Sequence, residues 1–134
     1  YINLQGIRSG VISNIMFSGA ALSDRLNRLL PNNRFEFVIA SSEYTVRKPN
    51  RLLFELALRK AGLEAEDAWF CGDNLQADIV GAAQVGMLPV WYDNQAIRDN
   101  YDGPNAVVPA HPHLHIHEWG EMIEVLDLMK SNRT

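Results

Sequence analysis

Five short apolar runs, most of them separated by stretches with helical spacing, constrain the fold of this chain more than any other feature. The runs are Ser9–Ser13, Phe35–Ala40, Ala68–Cys71, Leu88–Tyr92 and Leu114–His117. Each is rich in β-branched or aromatic residues and ends in a turn-forming group, the pattern of a buried strand. Between the first and second lies Ala20–Leu30, where Leu22, Leu26, Leu29 and Leu30 recur at helical spacing until Pro31 stops them. Between the second and third, Pro49 opens a helix whose apolar stripe is Leu53, Phe54, Ala57, Leu58 and Ala61, closed by Gly62. Between the third and fourth, Gln76–Val85 carries Ile79, Ala82 and Ala83, with Gly86 as its cap. Glu118–Met129 closes the chain as an amphipathic helix with Met122, Val125, Leu126 and Met129 on one face.

Strands alternating with helices of this length imply parallel strands joined by helical crossovers, an α/β doubly wound sheet. With 134 residues and 47% hydrophobic content, the chain has the size of one domain, residues 1–134. Asp93–Asn105 reads as a polar loop with a short helical turn near Ala96. Tyr1–Gly6 reads as the last turn of a helix capped by glycine, which leads us to expect further chain upstream.

Composition excludes several classes. A net charge of −4 leaves no basic cluster to neutralise a phosphate backbone, so a nucleic-acid partner is not expected. The longest apolar runs are far short of a bilayer span, and no charged-then-apolar leader opens the sequence. The lone Cys71, inside a predicted strand, excludes a disulfide framework and fits a reducing cytoplasm, with core packing its expected use.

Three chemically pointed positions fall just beyond predicted strands: Ser13, Lys48 and the pair Asp73/Asp78. In a parallel sheet the C-terminal ends of the strands share one edge, and ligands bind there. Taken one at a time, these are a strand-end serine, a solvated lysine and turn or cap aspartates. Together they describe a phosphate site. The Ser13 hydroxyl and the Asn14 backbone N–H can donate to phosphate oxygens, and the Lys48 ammonium is a compact counter-charge. Asp73 and Asp78, about one helical turn apart, can converge on a hard cation such as Mg²⁺.

The segments Val11–Asn14 (VISN), Arg47–Asn50 (RKPN) and Gly72–Asp78 (GDNLQAD) stand in the order and contexts of motifs two, three and four of the haloacid dehalogenase-like superfamily. The chain resembles these phosphohydrolases over nearly its whole length, and is most similar to members whose cap lies between motifs one and two. The resemblance implies a Rossmann-like core and a Mg²⁺-dependent phosphatase for a small phosphorylated metabolite. It further implies that Ser13 hydrogen-bonds the transferring phosphoryl group and that Lys48 neutralises it. Asp73 would ligate Mg²⁺, Asp78 would ligate it or orient its ligands, and Asn74 would support them from behind.

In that superfamily the reaction starts from an Asp-x-Asp motif at the end of a central first strand. No Asp-x-Asp occurs in this sequence. The first aspartate would be the nucleophile and the second the general acid and base. We therefore expect a partial core whose central first strand and cap come from a missing N-terminal segment or a second chain, and which is inactive alone. Two other readings compete. A true haloacid dehalogenase shares the fold, but a halide-displacing site has no need of the metal-binding Gly72-Asp73 pair. A non-catalytic relic or partner-binding module would keep the same residues as an anion site. Finally, His111, His113, His115 and His117 alternate, so at least three share one face of an extended segment. They form either a solvated strand face or a Zn²⁺ site.

Overall fold

Val11, Ile12, Val38 and Ile39 draw the first two apolar runs together. In the computed structural model, which describes residues 1–96 and 107–132, β1 (Ser9–Ser13) pairs in parallel with β2 (Phe35–Ala40), Ile12 opposite Ile39 and Ser13 opposite Ala40. β3 (Trp69–Gly72), β4 (Leu88–Tyr92) and β5 (Leu114–Ile116) form a second parallel sheet in the order β3-β4-β5. The fold is thus α/β with parallel strands, as expected. Among the described residues the strands form two sheets that are not hydrogen-bonded to each other, in keeping with an incomplete Rossmann-like core.

The helices begin and end on local signals. Ser18 caps α1 (Gly19–Leu29), its hydroxyl accepting from Ala21 N–H at 3.2 Å. Asn50 caps α2 (Arg51–Ala61), its side chain accepting from Leu52 N–H at 3.0 Å. Gly62 ends α2 in the left-handed region (φ 65°), so that Leu63 N–H reaches back to Leu58 C=O. The helix expected over Gln76–Val85 is different in kind. A π-helical turn, Leu75–Val80, runs into the short α3 (Gly81–Gln84). α4 (Trp119–Ser131) closes the chain.

α2 joins the two sheets. Its Leu53, Phe54 and Ala57 are buried with Ile12 and Ile39 of the first sheet, with Ala82 of α3, and with Met87. Phe70 of β3 packs against the same cluster and meets Phe54 edge to face, ring centroids 5.0 Å apart. Fully burying Phe54 and Leu53 contributes roughly 1.5–3 kcal/mol each. A single helix face thereby fixes both sheets around one core.

Several expected core positions are not buried. Leu29 and Leu30 are 65% and 49% exposed, because α1 packs on β2 and a two-stranded sheet is too narrow to cover the helix to its end. α4 has no buried residue; it rests on the three-residue β5. Cys71 is exposed because β3 lies at a sheet edge, and because strand alternation sends it away from the core that Phe70 enters. The protein around it still pushes the thiol up to about 11, so it stays protonated at neutral pH. Residues 1–6 form a hydrogen-bonded turn and not a helix, with Gly6 left-handed (φ 68°) and Ile7 N–H bonded to Ile2 C=O. The turn near Ala96 starts with Ala96 N–H donating to Asn94 Oδ1; the rest of that loop lies outside the described residues. Among the described residues no helix is long and apolar enough to cross a membrane.

Gly81 sets how closely α3 approaches α2. A Cβ there would sit 2.7 Å from the Phe54 ring and 3.3 Å from Pro49 Cα. Alanine would gain up to about 1 kcal/mol of helix propensity, but Phe54 is fully buried and cannot retreat. Overpacking of this kind costs about 1–3 kcal/mol. We expect Gly81→Ala to lower the urea midpoint; a raised midpoint would mean that the contact relaxes freely.

Candidate active site

The loop after β1 and the segment before α2 are bound to each other by one asparagine. Asn14 Oδ1 accepts from Lys48 N–H at 2.8 Å, and Asn14 Nδ2 donates to Lys48 C=O at 2.9 Å. This two-point clamp holds the Lys48 backbone beside the end of β1, next to a cis Lys48–Pro49 peptide. The side chain passes over the Phe70 ring, Nζ 5.1 Å from its centroid, and the ammonium meets Asp78 Oδ1 at 2.5 Å.

Asp78 is positioned by the turn that follows β3. Its Oδ2 accepts from Asn74 N–H at 3.0 Å, while Asn74 Oδ1 accepts from Ala77 N–H at 2.7 Å and caps the π-helical turn. Gly72 makes this possible. Any Cβ at that position would come within 2.4 Å of Asp78 Cβ, Cγ and Oδ2, so the carboxylate lies directly on the strand end. The side chains of Lys48 and Asp78 are only 10% and 5% exposed. Withdrawn from water, each charge depends on the other.

Four of the residues singled out from the sequence, Asn14, Lys48, Asp78 and Asn74, therefore meet. A run of hydrogen bonds, Asn14 to Lys48 to Asp78 to Asn74, ties together the segments after β1, before α2 and after β3. Ser13 ends β1 one residue before Asn14, and half-buried Asp73 lies one residue before Asn74. Beside this junction opens a cleft of about 740 Å³ lined by Asn14, Ile15, Ser41, Tyr44 and Arg47 among others. Its walls are fastened together where Ile15 N–H donates to Ser41 Oγ at 3.1 Å.

Two roles are sharper than the sequence allowed. The Asn14 side chain is committed to Lys48, which leaves its backbone N–H as the donor of interest. Both Asp78 oxygens are engaged, one by Lys48 and one by Asn74.

The histidines divide. His113 Nδ1 lies 2.6 Å from His111 C=O, within its own segment. His115 and His117 instead converge on Asp93, an aspartate that the sequence reading placed only in a loop. The parallel pairing of Tyr92 with Ile116 is what sets Asp93 beside His117. The signal was there in the sequence, a carboxylate immediately after an apolar strand, but strand pairing had to be known to use it.

Comparison with known proteins points to one superfamily. The HAD-hydrolase-like family model matches residues 45–110. A glyceraldehyde 3-phosphate phosphatase of Pyrococcus abyssi is 39% identical over 69 residues, covering 52% of this chain and 29% of its own length. The chain thus spans about a third of the length of such relatives. The HAD phosphatase structure from Thermococcus onnurineus is 26% identical with a TM-score of 0.68, over 93% of this chain and 53% of its own. The HAD-hydrolase YfnB of Bacillus subtilis, whose structure is bound to magnesium, shares the fold at 23% identity and a TM-score of 0.66, over 93% of this chain and 51% of its own.

Breaking the buried pair from the carboxylate side leaves an uncompensated ammonium. Asp78→Ala should therefore cost about 3–5 kcal/mol in urea unfolding. A loss below about 1 kcal/mol, the range of exposed pairs, would show that Lys48 swings out to solvent and that the junction is not rigid.

Proposed function

We propose that the chain, which the HAD-hydrolase-like family model matches over residues 45–110, is part of a haloacid dehalogenase-like hydrolase and supplies the phosphate- and Mg²⁺-binding part of a phosphatase acting on a small phosphorylated metabolite. The observation that carries this reading is the 2.5 Å contact between Lys48 and Asp78, which brings two of the three polar motifs into one junction while Asn14 brings the third. Phosphatase relatives of the same superfamily support the substrate class.

In this reading Lys48 Nζ neutralises a phosphoryl oxygen while Asp78 keeps the ammonium in place. The Ser13 hydroxyl and the Asn14 N–H donate to the remaining oxygens from the end of β1. Asp73 would hold Mg²⁺; the donor set, carboxylate oxygen at a strand end with no nitrogen or sulfur ligand assigned, fits that hard ion. Bound there, Mg²⁺ would offset the negative charge of the phosphate and of the attacking carboxylate. Asn74 supports the site by holding Asp78.

The nucleophile is not provided by the motifs in this sequence. We propose that it enters on a further strand lying between β1 and β3, carrying an Asp-x-Asp, from an N-terminal segment or a second chain. Such a strand would pair the free edges of β1 and β3 and bring the aspartate to the edge that carries Ser13, Lys48 and Asp73. Without it we expect no turnover. A reducing cytoplasm fits the lone free thiol of Cys71.

The test is phosphate release from a panel of phosphorylated metabolites by the natural gene product, with and without Mg²⁺. We expect Mg²⁺-dependent release. Asp73→Asn should leave the unfolding midpoint within about 0.5 kcal/mol of wild type and lower kcat about 10²-fold or more. Lys48→Ala should lower kcat at least as far. Unchanged phosphate release in Asp73→Asn would overturn the metal role, and turnover independent of Mg²⁺ would overturn the reaction class.

A further inference from the structure

At the far end of the second sheet, a carboxylate and two imidazoles come together without any part in the phosphate site. Asp93 follows β4 directly and is 7% exposed; its N–H donates to Ile116 C=O at 2.8 Å, which fixes it against the end of β5. His115 and His117 flank the buried Ile116, one within β5 and one just after it. One ligand atom from each of Asp93, His115 and His117 lies within 4.8 Å of the other two.

From this geometry we propose that Asp93, His115 and His117 bind one Zn²⁺, with water completing its coordination. The donors are two imidazoles and one carboxylate, a set that zinc takes with three protein ligands and an open position. The spacing is right. Nitrogen and oxygen ligands at about 2.0–2.1 Å from a tetrahedral ion lie roughly 3.3 Å apart, and the observed distances from Asp93 Oδ2 are 2.7 Å to His115 Nε2 and 3.9 Å to His117 Nδ1. These values bracket that spacing, and His117 Nδ1 also lies 3.3 Å from Asp93 C=O, a contact the ion would replace. The imidazoles are also held ready: the His115 ring stacks on buried Trp91 at 4.3 Å and 19°, and the His117 ring lies 4.7 Å from that of His115. A pair of solvated histidines on an exposed strand face would have neither the buried carboxylate nor the aromatic platform.

The ion would tie the ends of β4 and β5 together, independently of the phosphate site on β1 and β3. His115 and His117 have 42% and 65% of their side chains exposed, so an ion can enter and the residues can be replaced without disturbing the core.

The experiment is calorimetric titration of the metal-free full chain with ZnCl₂, repeated on His117→Gln, His115→Gln, Asp73→Asn and Cys71→Ser. We expect one Zn²⁺ per chain. Loss of either imidazole should weaken binding about 10-fold or more, while Asp73→Asn and Cys71→Ser keep the wild-type affinity. Imidazole NMR signals of His115 and His117 should shift on addition of Zn²⁺ while that of His111 does not. No binding, or binding that survives the histidine replacements, or binding lost instead in Asp73→Asn or Cys71→Ser, would overturn the proposal. The last outcomes concern the phosphate site or the thiol and leave the phosphatase reading to its own test.

Discussion

A lysine ammonium that is only 10% exposed needs a partner, and Lys48 finds it in Asp78. Much of the local structure follows from that requirement. Asn14 must grip the Lys48 backbone from both sides, Gly72 must lack a side chain, and Asn74 must give its N–H to the second carboxylate oxygen. Buried ion pairs contribute little net stability compared with apolar packing of the same volume, because two charges lose their water. What this pair achieves is position: it holds a cation where the segments after β1 and β3 meet. The fold accepts that arrangement because α2 packs both sheets into one core around Phe54.

The same packing explains why the π-helical turn after β3 is not a regular helix. Asp78 has to reach back over Gly72 to Lys48 within a few residues of the strand end, and Gly81 has to lie against Phe54 and Pro49. A wider turn at Leu75–Val80 satisfies both approaches, and π turns of this kind recur at functional sites. The site and the core therefore share their constraints, and a change at Gly72 or Gly81 would be felt at Lys48.

Much of this was legible before the structure. The five strands lie where β-branched and aromatic runs stood between turn residues, and Gly62 and Gly86 close their helices as their φ angles dictate, whereas α2 starts at Arg51 behind its Asn50 cap and not at Pro49. Ser13, Lys48, Asp73 and Asp78 could be placed at strand ends because parallel strands share one ligand-binding edge. Other features depend on three-dimensional contact and could not be read from spacing. Nothing local says that both Asp78 oxygens are already engaged, that Leu29 runs past a two-stranded sheet, or that Cys71 faces solvent from a sheet edge. Asp93 appeared as one more polar loop residue until the β4–β5 register set it beside His117.

The central claim is that the turn after β3, together with Lys48 and the end of β1, forms one site for a hard cation and a phosphate. The most direct measurement is paramagnetic broadening of backbone amide NMR signals on adding Mn²⁺, which shares the preference of Mg²⁺ for oxygen donors. The account predicts that the signals of Gly72, Asp73 and Asn74 broaden first, that Ser13, Asn14 and Lys48 follow, and that excess Mg²⁺ reverses the effect. Unaffected signals around Asp73, with broadening elsewhere on the molecule or nowhere, would contradict it.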